Sequence, residues 1–277
     1  MAPLLQRPIV RAAGRLSMGA GLAAGLVYGA ALGALWWGQE RLLFHPVALD
    51  PGVPLAVDPD VHERTVDVPG ARLSVLELRL PDPRGVVFFL HGNAGNLQSW
   101  FVNADFYRRA NYDLVMLDYR GFGKSTGRID GEAQLHADVM AVWSQVAPRY
   151  AGRRVVLYGR SLGSGLAARL ATQVRADLTM LVSPYASMVA LARLHYPWVP
   201  AALLRYPLRT DEAVARLRSP VLLLHGERDD LIPVDHSREL AALARQARVV
   251  VVPGAGHGDL QAFDTYLDTV ADALARL

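Results

Sequence analysis

The chain has 277 residues, just over half of them apolar, which suffices for one large domain with a sizeable core and excludes a disordered chain. Cysteine is absent, so disulfide frameworks, thiolate metal sites and cysteine nucleophiles are excluded, while the redox compartment stays open. The formal charge is only +3 and the arginines are scattered, with Lys124 the one lysine, so the composition gives no nucleic-acid-binding surface.

The first predicted element is an apolar helix. Leu16 to Gly38 run 23 residues without a charge, enough at ~1.5 Å per residue to cross a ~30 Å hydrocarbon core. Arg7, Arg11 and Arg15 precede this stretch, and Trp36 and Trp37 close it. The positive-inside rule then puts the N-terminus in the cytoplasm and the main domain in the periplasm or outside the cell. Residues 1–38 read as a cytoplasmic tip and transmembrane anchor, and residues 39–277 as the main domain. Two other readings compete: a signal peptide cut near Ala31-Leu32-Gly33, which would secrete the domain, and a buried amphipathic helix. Gly21, Gly25, Gly29 and Gly33 share one helical stripe, the close-packing face of small-residue helix pairs. The stripe predicts self-association or docking on a partner helix; the plainer explanation is that Gly and Ala abound here.

Pro46 to Asp60, rich in Pro and Asp, reads as a linker settling onto the domain surface. "RLSVLELRL" (Arg72 to Leu80) alternates as a half-exposed antiparallel strand would, and "GVVFFL" (Gly85 to Leu90) is a continuous apolar run, as in a strand covered on both faces. Further apolar runs, "DLVMLD", "RVVLYG", "LTMLVS", "PVLLLHG" and "RVVVVPG", are separated by helical patterns. This alternation predicts an α/β fold, a mostly parallel sheet with helices on both faces. Sites in such folds form where loops leave the carboxyl ends of strands. Five small-residue loops fall there: "HGNAGN", "YRGFGKS", "RSLGSG", "ERDD" and "AGHGDL".

Gly159-Arg160-Ser161-Leu162-Gly163 fits G-x-S-x-G between a strand and a helix, a sharp turn that lifts the serine hydroxyl clear of the sheet. A serine is a poor nucleophile until a base takes its proton. His257, between the last strand and the final helix, is the best-placed of eight histidines; His91 and His225 sit at strand ends, where they fix loop geometry. His45, His62, His136, His195 and His236 read as structural or solvated, and no pair has metal-ligand spacing, so no metal is expected. The imidazole needs a carboxylate to hold its tautomer, and Asp229 in "GERDD" is nearer the strand end than Asp230. The backbone N–H groups of Asn93 and Leu162 are the expected oxyanion donors. "GFGKST" imitates the end of a phosphate-binding loop, but the glycine required five residues before Gly123 is Asp118. Ser99, Ser125 and Ser164 read as turn or helix residues.

Together "FLHGNAGN", "DYRGFGKSTG", "YGRSLGSG", "LLLHGERDDLIPVDHS" and "GAGHGDL" resemble the α/β-hydrolase superfamily, and more narrowly its membrane-anchored lysophospholipase- and depalmitoylase-like (serine aminopeptidase-like) serine hydrolases. The resemblance runs from about Gln39 to the C-terminus and favours a single N-terminal anchor followed by "ERLLFHP". It implies Ser161, Asp229 and His257 as nucleophile, acid and base, Asn93 and Leu162 as oxyanion donors, and no cofactor. Such enzymes build a cap between the sixth and seventh strands, here the short insertion of about residues 184–219, where Tyr185, Tyr196 and Trp198 would form a substrate rim. The expected activity is hydrolysis of an ester or thioester of a small-molecule or lipid-like acyl substrate through an acyl-enzyme. An aminopeptidase, an acyltransferase using the same three residues, and a catalytically silent membrane scaffold are the alternatives.

Overall fold

The computed structural model describes residues 6–277, with side chains from Gly19 onward. Arg7, Arg11 and Arg15, the basic flank that sets the expected membrane orientation, thus lie outside the described side chains. The first element, α1 (Gln6–Leu43), is a continuous helix that passes position 38 without a break. Its Gly19–Leu43 part is long and apolar enough to cross a membrane. The glycine stripe has no partner among the described residues: a Cβ at Gly21, Gly25, Gly29 or Gly33 would meet nothing within 4 Å.

The domain is built on an eight-stranded sheet: β1 (Val61–Val68), β2 (Ala71–Leu78), β3 (Gly85–Leu90), β4 (Tyr112–Leu117), β5 (Arg154–Arg160), β6 (Leu178–Val182), β7 (Val221–Gly226) and β8 (Ala247–Val252). Their order across the sheet is β8-β7-β6-β5-β3-β4-β2-β1. Only β2 runs against its neighbours, β1 and β4; every other pairing is parallel. The continuous apolar runs become β3, β4, β6 and β7, buried along their whole length, as expected for strands covered on both faces.

Helices supply those two covers. One core joins the sheet to α3 (Glu132–Val146), α4 (Leu162–Ala171) and α7 (Asp235–Leu243) through Trp143, Leu166 and Leu240. The other joins the opposite face to α2 (Ala104–Ala110) and α8 (Asp264–Ala275) through Tyr107, Tyr266 and Leu274. Between β6 and β7 lie α5 (Met188–His195) and α6 (Thr210–Val214). Ser187 caps α5 by accepting from the Ala190 amide, which fixes where that helix starts.

Two local expectations are corrected. β2 is not half-exposed: Leu73 to Leu78 are all buried. Its alternation misleads because Glu77, the apparent solvent-side residue, is enclosed by Arg64, Arg79 and Arg149. The Pro/Asp-rich segment after α1 is more than a surface linker. His45–Pro46 pair in parallel with Ala94–Gly95, and the Leu49 amide donates to the Gly123 carbonyl. The chain leaving α1 is therefore stitched to two of the five loops on the carboxyl rim.

Candidate active site

The apolar run of β5 ends at Gly159, and the chain must reverse into α4 within two residues. There is no room for side chains beside that turn. A Cβ on Gly159 would lie 2.2 Å from the Gly163 carbonyl oxygen, and one on Gly163 would lie 2.0 Å from that of Leu90. Ser161 takes up the reversal at φ 51°, ψ −119°, a conformation that costs on the order of 1–3 kcal/mol for a non-glycine residue. It is pinned there by its amide, which donates to the Val182 carbonyl at 2.9 Å.

The loops after β7 and β8 bring two more groups to this hydroxyl. His257 Nε2 is 3.0 Å from Ser161 Oγ, and His257 Nδ1 is 2.7 Å from Asp229 Oδ2. With its proton on Nδ1, the ring donates to Asp229 and leaves Nε2 to accept from the serine. The other carboxylate oxygen, Oδ1, accepts from the amides of Leu231 at 3.1 Å and Ile232 at 2.8 Å. Burial by itself opposes the Asp229 charge, but hydrogen bonds from the His225 and His257 rings and the Ile232 amide outweigh it and hold the carboxyl well below its ordinary range. Asp230 is exposed. Thus Ser161, His257 and Asp229, from three separate loops, form one hydrogen-bonded chain.

The two expected donors border the same cleft as Ser161. Asn93 and Leu162 line it, and neither of their backbone N–H groups donates to another residue among the described residues. The loop carrying Asn93 is fixed from the α1 side: the His45 amide donates to the Asn93 carbonyl at 2.7 Å, and the Asn93 side chain donates to the Leu43 carbonyl at 2.9 Å. His91 and His225 are fully buried. His91 Nδ1 lies 2.7 Å from the Gly92 carbonyl, and His225 lies between Ser237 and the Ile232 carbonyl at 2.7 and 2.6 Å. The lysine of the phosphate-loop imitation, Lys124, is committed to Glu63 at 2.7 and 2.9 Å.

The cleft has a volume of about 320 Å³ and is mostly apolar, bounded by α1, α5 and the Leu231–Ile232 turn. Of the three residues expected at its rim, Tyr185 is instead part of its floor, fully buried with its hydroxyl donating to the Leu162 carbonyl at 3.0 Å. Tyr185 lies only three residues past β6, so it sits beneath the insertion, not on top of it. Tyr196 lines the cleft and is half exposed, whereas Trp198 lies outside it. Sequence reasoning missed three contributors. Arg160, the variable residue before the serine, donates to the His257 carbonyl at 3.1 Å and to Gln261 at 2.8 Å while its guanidinium stacks over Trp100. His195, read as structural or solvated, lines the cleft and lies 2.9 Å from the Leu231 carbonyl. The end of α1 supplies a whole wall, including Leu35, Leu42 and Leu43. Only Arg160 left a local signal, its place inside the motif; the others meet the site across more than 30 residues of chain.

A parallel sheet with one antiparallel strand near its edge, a serine on a strained strand-to-helix turn and a histidine–carboxylate pair reaching it from later loops define a hydrolase-type α/β enzyme. The serine aminopeptidase (S33) family matches residues 81–210, and the TAP-like family matches residues 200–273. The chain belongs to the α/β-hydrolase superfamily. An uncharacterised protein of Mycobacterium tuberculosis is 33% identical over 243 residues, covering 83% of this chain and 84% of its own length. Human alpha/beta hydrolase domain-containing protein 17B is 31% identical over 208 residues, covering 72% of this chain and 69% of its own. Among solved structures, a Pyrococcus furiosus esterase superposes with a TM-score of 0.67 at 17% identity, covering 84% of this chain and 97% of that one. Est1E of Butyrivibrio proteoclasticus, solved with ferulic acid bound, gives 0.63 at 20% identity, covering 77% of this chain and 96% of that one.

Proposed function

We propose that this enzyme is a membrane-anchored serine hydrolase that cleaves carboxylic esters or thioesters of lipid-like acyl groups. The observation that carries the reading is the Ser161–His257–Asp229 chain, with 3.0 and 2.7 Å links, at the end of an apolar cleft. Ser161 Oγ attacks the substrate carbonyl as His257 Nε2 takes its proton. The resulting oxyanion is held by the free N–H groups of Asn93 and Leu162, the latter at the N-terminus of α4. When the C–O or C–S bond breaks, the leaving group takes the proton from His257 and the acyl group stays on Ser161. Water then gives a proton to His257 and attacks the acyl carbonyl, and Ser161 recovers its hydrogen as the acid departs.

Asp229 keeps the imidazole in the useful tautomer and stabilises its charged form. Its depressed pKa leaves it ionised for that task at neutral pH. α1 is the anchor in this reading, with the N-terminus in the cytoplasm and the hydrolase domain beyond the membrane, as the three arginines before the span favour. The test is hydrolysis of p-nitrophenyl esters, from acetyl to palmitoyl, by the full chain in detergent with Ser161→Ala as the blank. The expected result is turnover that falls by roughly 10⁶-fold in the variant. Equal inactivity of both proteins on every ester overturns the reading.

A further inference from the structure

The cleft above Ser161 is closed on one side by the apolar N-terminal helix, and that helix is hydrogen-bonded to the cap at two levels. The Tyr28 hydroxyl donates to the Trp198 carbonyl at 2.9 Å. Eleven residues further on, Gln39 brackets the same cap segment, its Nε2 donating to the Leu203 carbonyl at 2.7 Å and its Oε1 accepting from the Arg205 amide at 2.8 Å. At ~1.5 Å per residue the two attachments are about 16 Å apart along α1, roughly three turns. The cap from Trp198 to Arg205 therefore runs alongside the apolar helix, and Tyr28 lies well inside the Gly19–Leu43 stretch able to span a membrane.

Irregular backbone is tolerated at hydrocarbon depth only where its polar groups are satisfied by protein. Tyr28 and Gln39, polar residues on an otherwise apolar helix face, serve three such groups of the cap. Three large apolar residues of the cap also point outward: Leu194, Tyr196 and Trp198 are each about half exposed, at 52%, 55% and 48%, with Arg193 and His195 exposed between and beside them. Facing water, that patch next to an exposed apolar helix would be a liability; facing lipid, it is the expected surface.

We propose that the cleft opens into the bilayer, with the last turns of α1 as one wall and the cap as the other, and that it takes the acyl chain of a membrane-resident ester or thioester sideways from the lipid leaflet. The proposal rests on the hydrolase reading above and on α1 as a membrane span. Leu35 and Leu42 on α1 and Leu191 and Tyr196 on the cap side line one cleft, together with Ser161 and Asn93. An acyl chain lying between them would present its carbonyl to Ser161 while its tail stays in lipid. The walls are apolar apart from Gln39 and His195, and about 320 Å³ is at the small end of ligand sites, room for one chain and not for a bulky head group. On this view α1 is a specificity element as well as a tether.

The test uses the full chain reconstituted in phosphatidylcholine vesicles, assayed on p-nitrophenyl butyrate and palmitate. Leu35→Trp and Leu42→Trp, which narrow the cleft from the α1 side, should lower the palmitate-to-butyrate ratio of kcat/KM at least roughly tenfold, the loss of about two buried methylenes. Leu26→Trp, on the same helix but away from the cleft, should leave the ratio unchanged. Because the chain has no cysteine, a nitroxide on Leu194→Cys reports the cap alone. Its collisions with oxygen should exceed those with an aqueous nickel chelate. Ser161-dependent hydrolysis with a ratio that neither tryptophan changes, or a label at Leu194→Cys that is open to nickel, overturns the inference and leaves the hydrolase reading standing. Absence of Ser161-dependent hydrolysis overturns the hydrolase reading itself, and the acyl site with it.

Discussion

Arg160 reaches His257 through the histidine's backbone carbonyl, not through the imidazole. Its guanidinium donates to the His257 carbonyl and to Gln261 and stacks over Trp100, so it joins the turn bearing the serine to the loop bearing the histidine. Arg160→Ala removes that joint and leaves the cleft walls untouched. Misplacing a catalytic group by an ångström costs on the order of 10²-fold, so kcat on a short ester should fall by roughly 10- to 100-fold with KM nearly constant. Arg160→Lys should not restore it, because an ammonium cannot span both acceptors in the plane of the indole. A rise in KM with kcat unchanged would place Arg160 in substrate binding instead. The positions of Ser161, Asp229 and His257 were legible in the sequence because each lies just past an apolar run, where a parallel sheet puts its loops. Tyr185 was misplaced for a related reason: a residue three positions beyond β6 is still under the insertion that follows, and its aromatic character alone does not tell floor from rim.

Among the elements, α1 departs most from what its sequence suggests. Read alone it is an anchor ending near Gly38 and followed by a linker; folded, its last turn is a bracket on the cap and on the Asn93 loop. Gln39 and Glu40 are the polar residues that start the change. Gln39 is buried and doubly hydrogen-bonded to cap backbone, and Glu40 accepts from Arg205 and the Tyr206 hydroxyl at 2.6 and 2.8 Å. Phe44, also buried, packs edge-on against Tyr206. These partners lie more than 150 residues away in the chain, so no local pattern announces them. Gln39→Ala leaves a cap carbonyl and a cap N–H without partners, at a cost of about 1–3 kcal/mol each if they stay buried. The expected outcome is local: the Arg205 amide, read by hydrogen exchange on the full chain in micelles, should exchange at least tenfold faster, while amides of β3 and β5 keep their protection. An unchanged Arg205 rate would mean that the bracket carries no load.

On the scale of the whole molecule, two apolar cores hold the sheet, and one buried carboxylate in β2, Glu77, gathers three arginines around it. The strand–helix alternation announced both cores, because burying each sheet face only requires apolar runs and amphipathic helices in sequence. It gave no sign of Glu77, which alternation assigns to solvent and which the fold encloses completely. Burial opposes the charge on Glu77, but hydrogen bonds from Arg149, Arg64 and Arg79 prevail and bring its pKa to about 2, below the ordinary 4.5. A carboxylate with a depressed folded pKa stabilises fully above its unfolded value, and that contribution drains away as pH falls through the folded one. The window here is pH 4.5 down to 2, and the shift corresponds to roughly 3 kcal/mol. Asp229 acts in the same direction, while Asp113, raised by burial, acts against it. Glu77→Gln should therefore destabilise the chain at pH 7, on the order of 3–5 kcal/mol, because it leaves the three arginines without their shared anion. That difference from wild type, read by denaturant titration of the full chain in detergent, should shrink steadily from pH 4.5 toward pH 2. A difference that stays constant across that window would mean that Glu77 is neutral in the folded protein and that the arginines stabilise the sheet by packing alone.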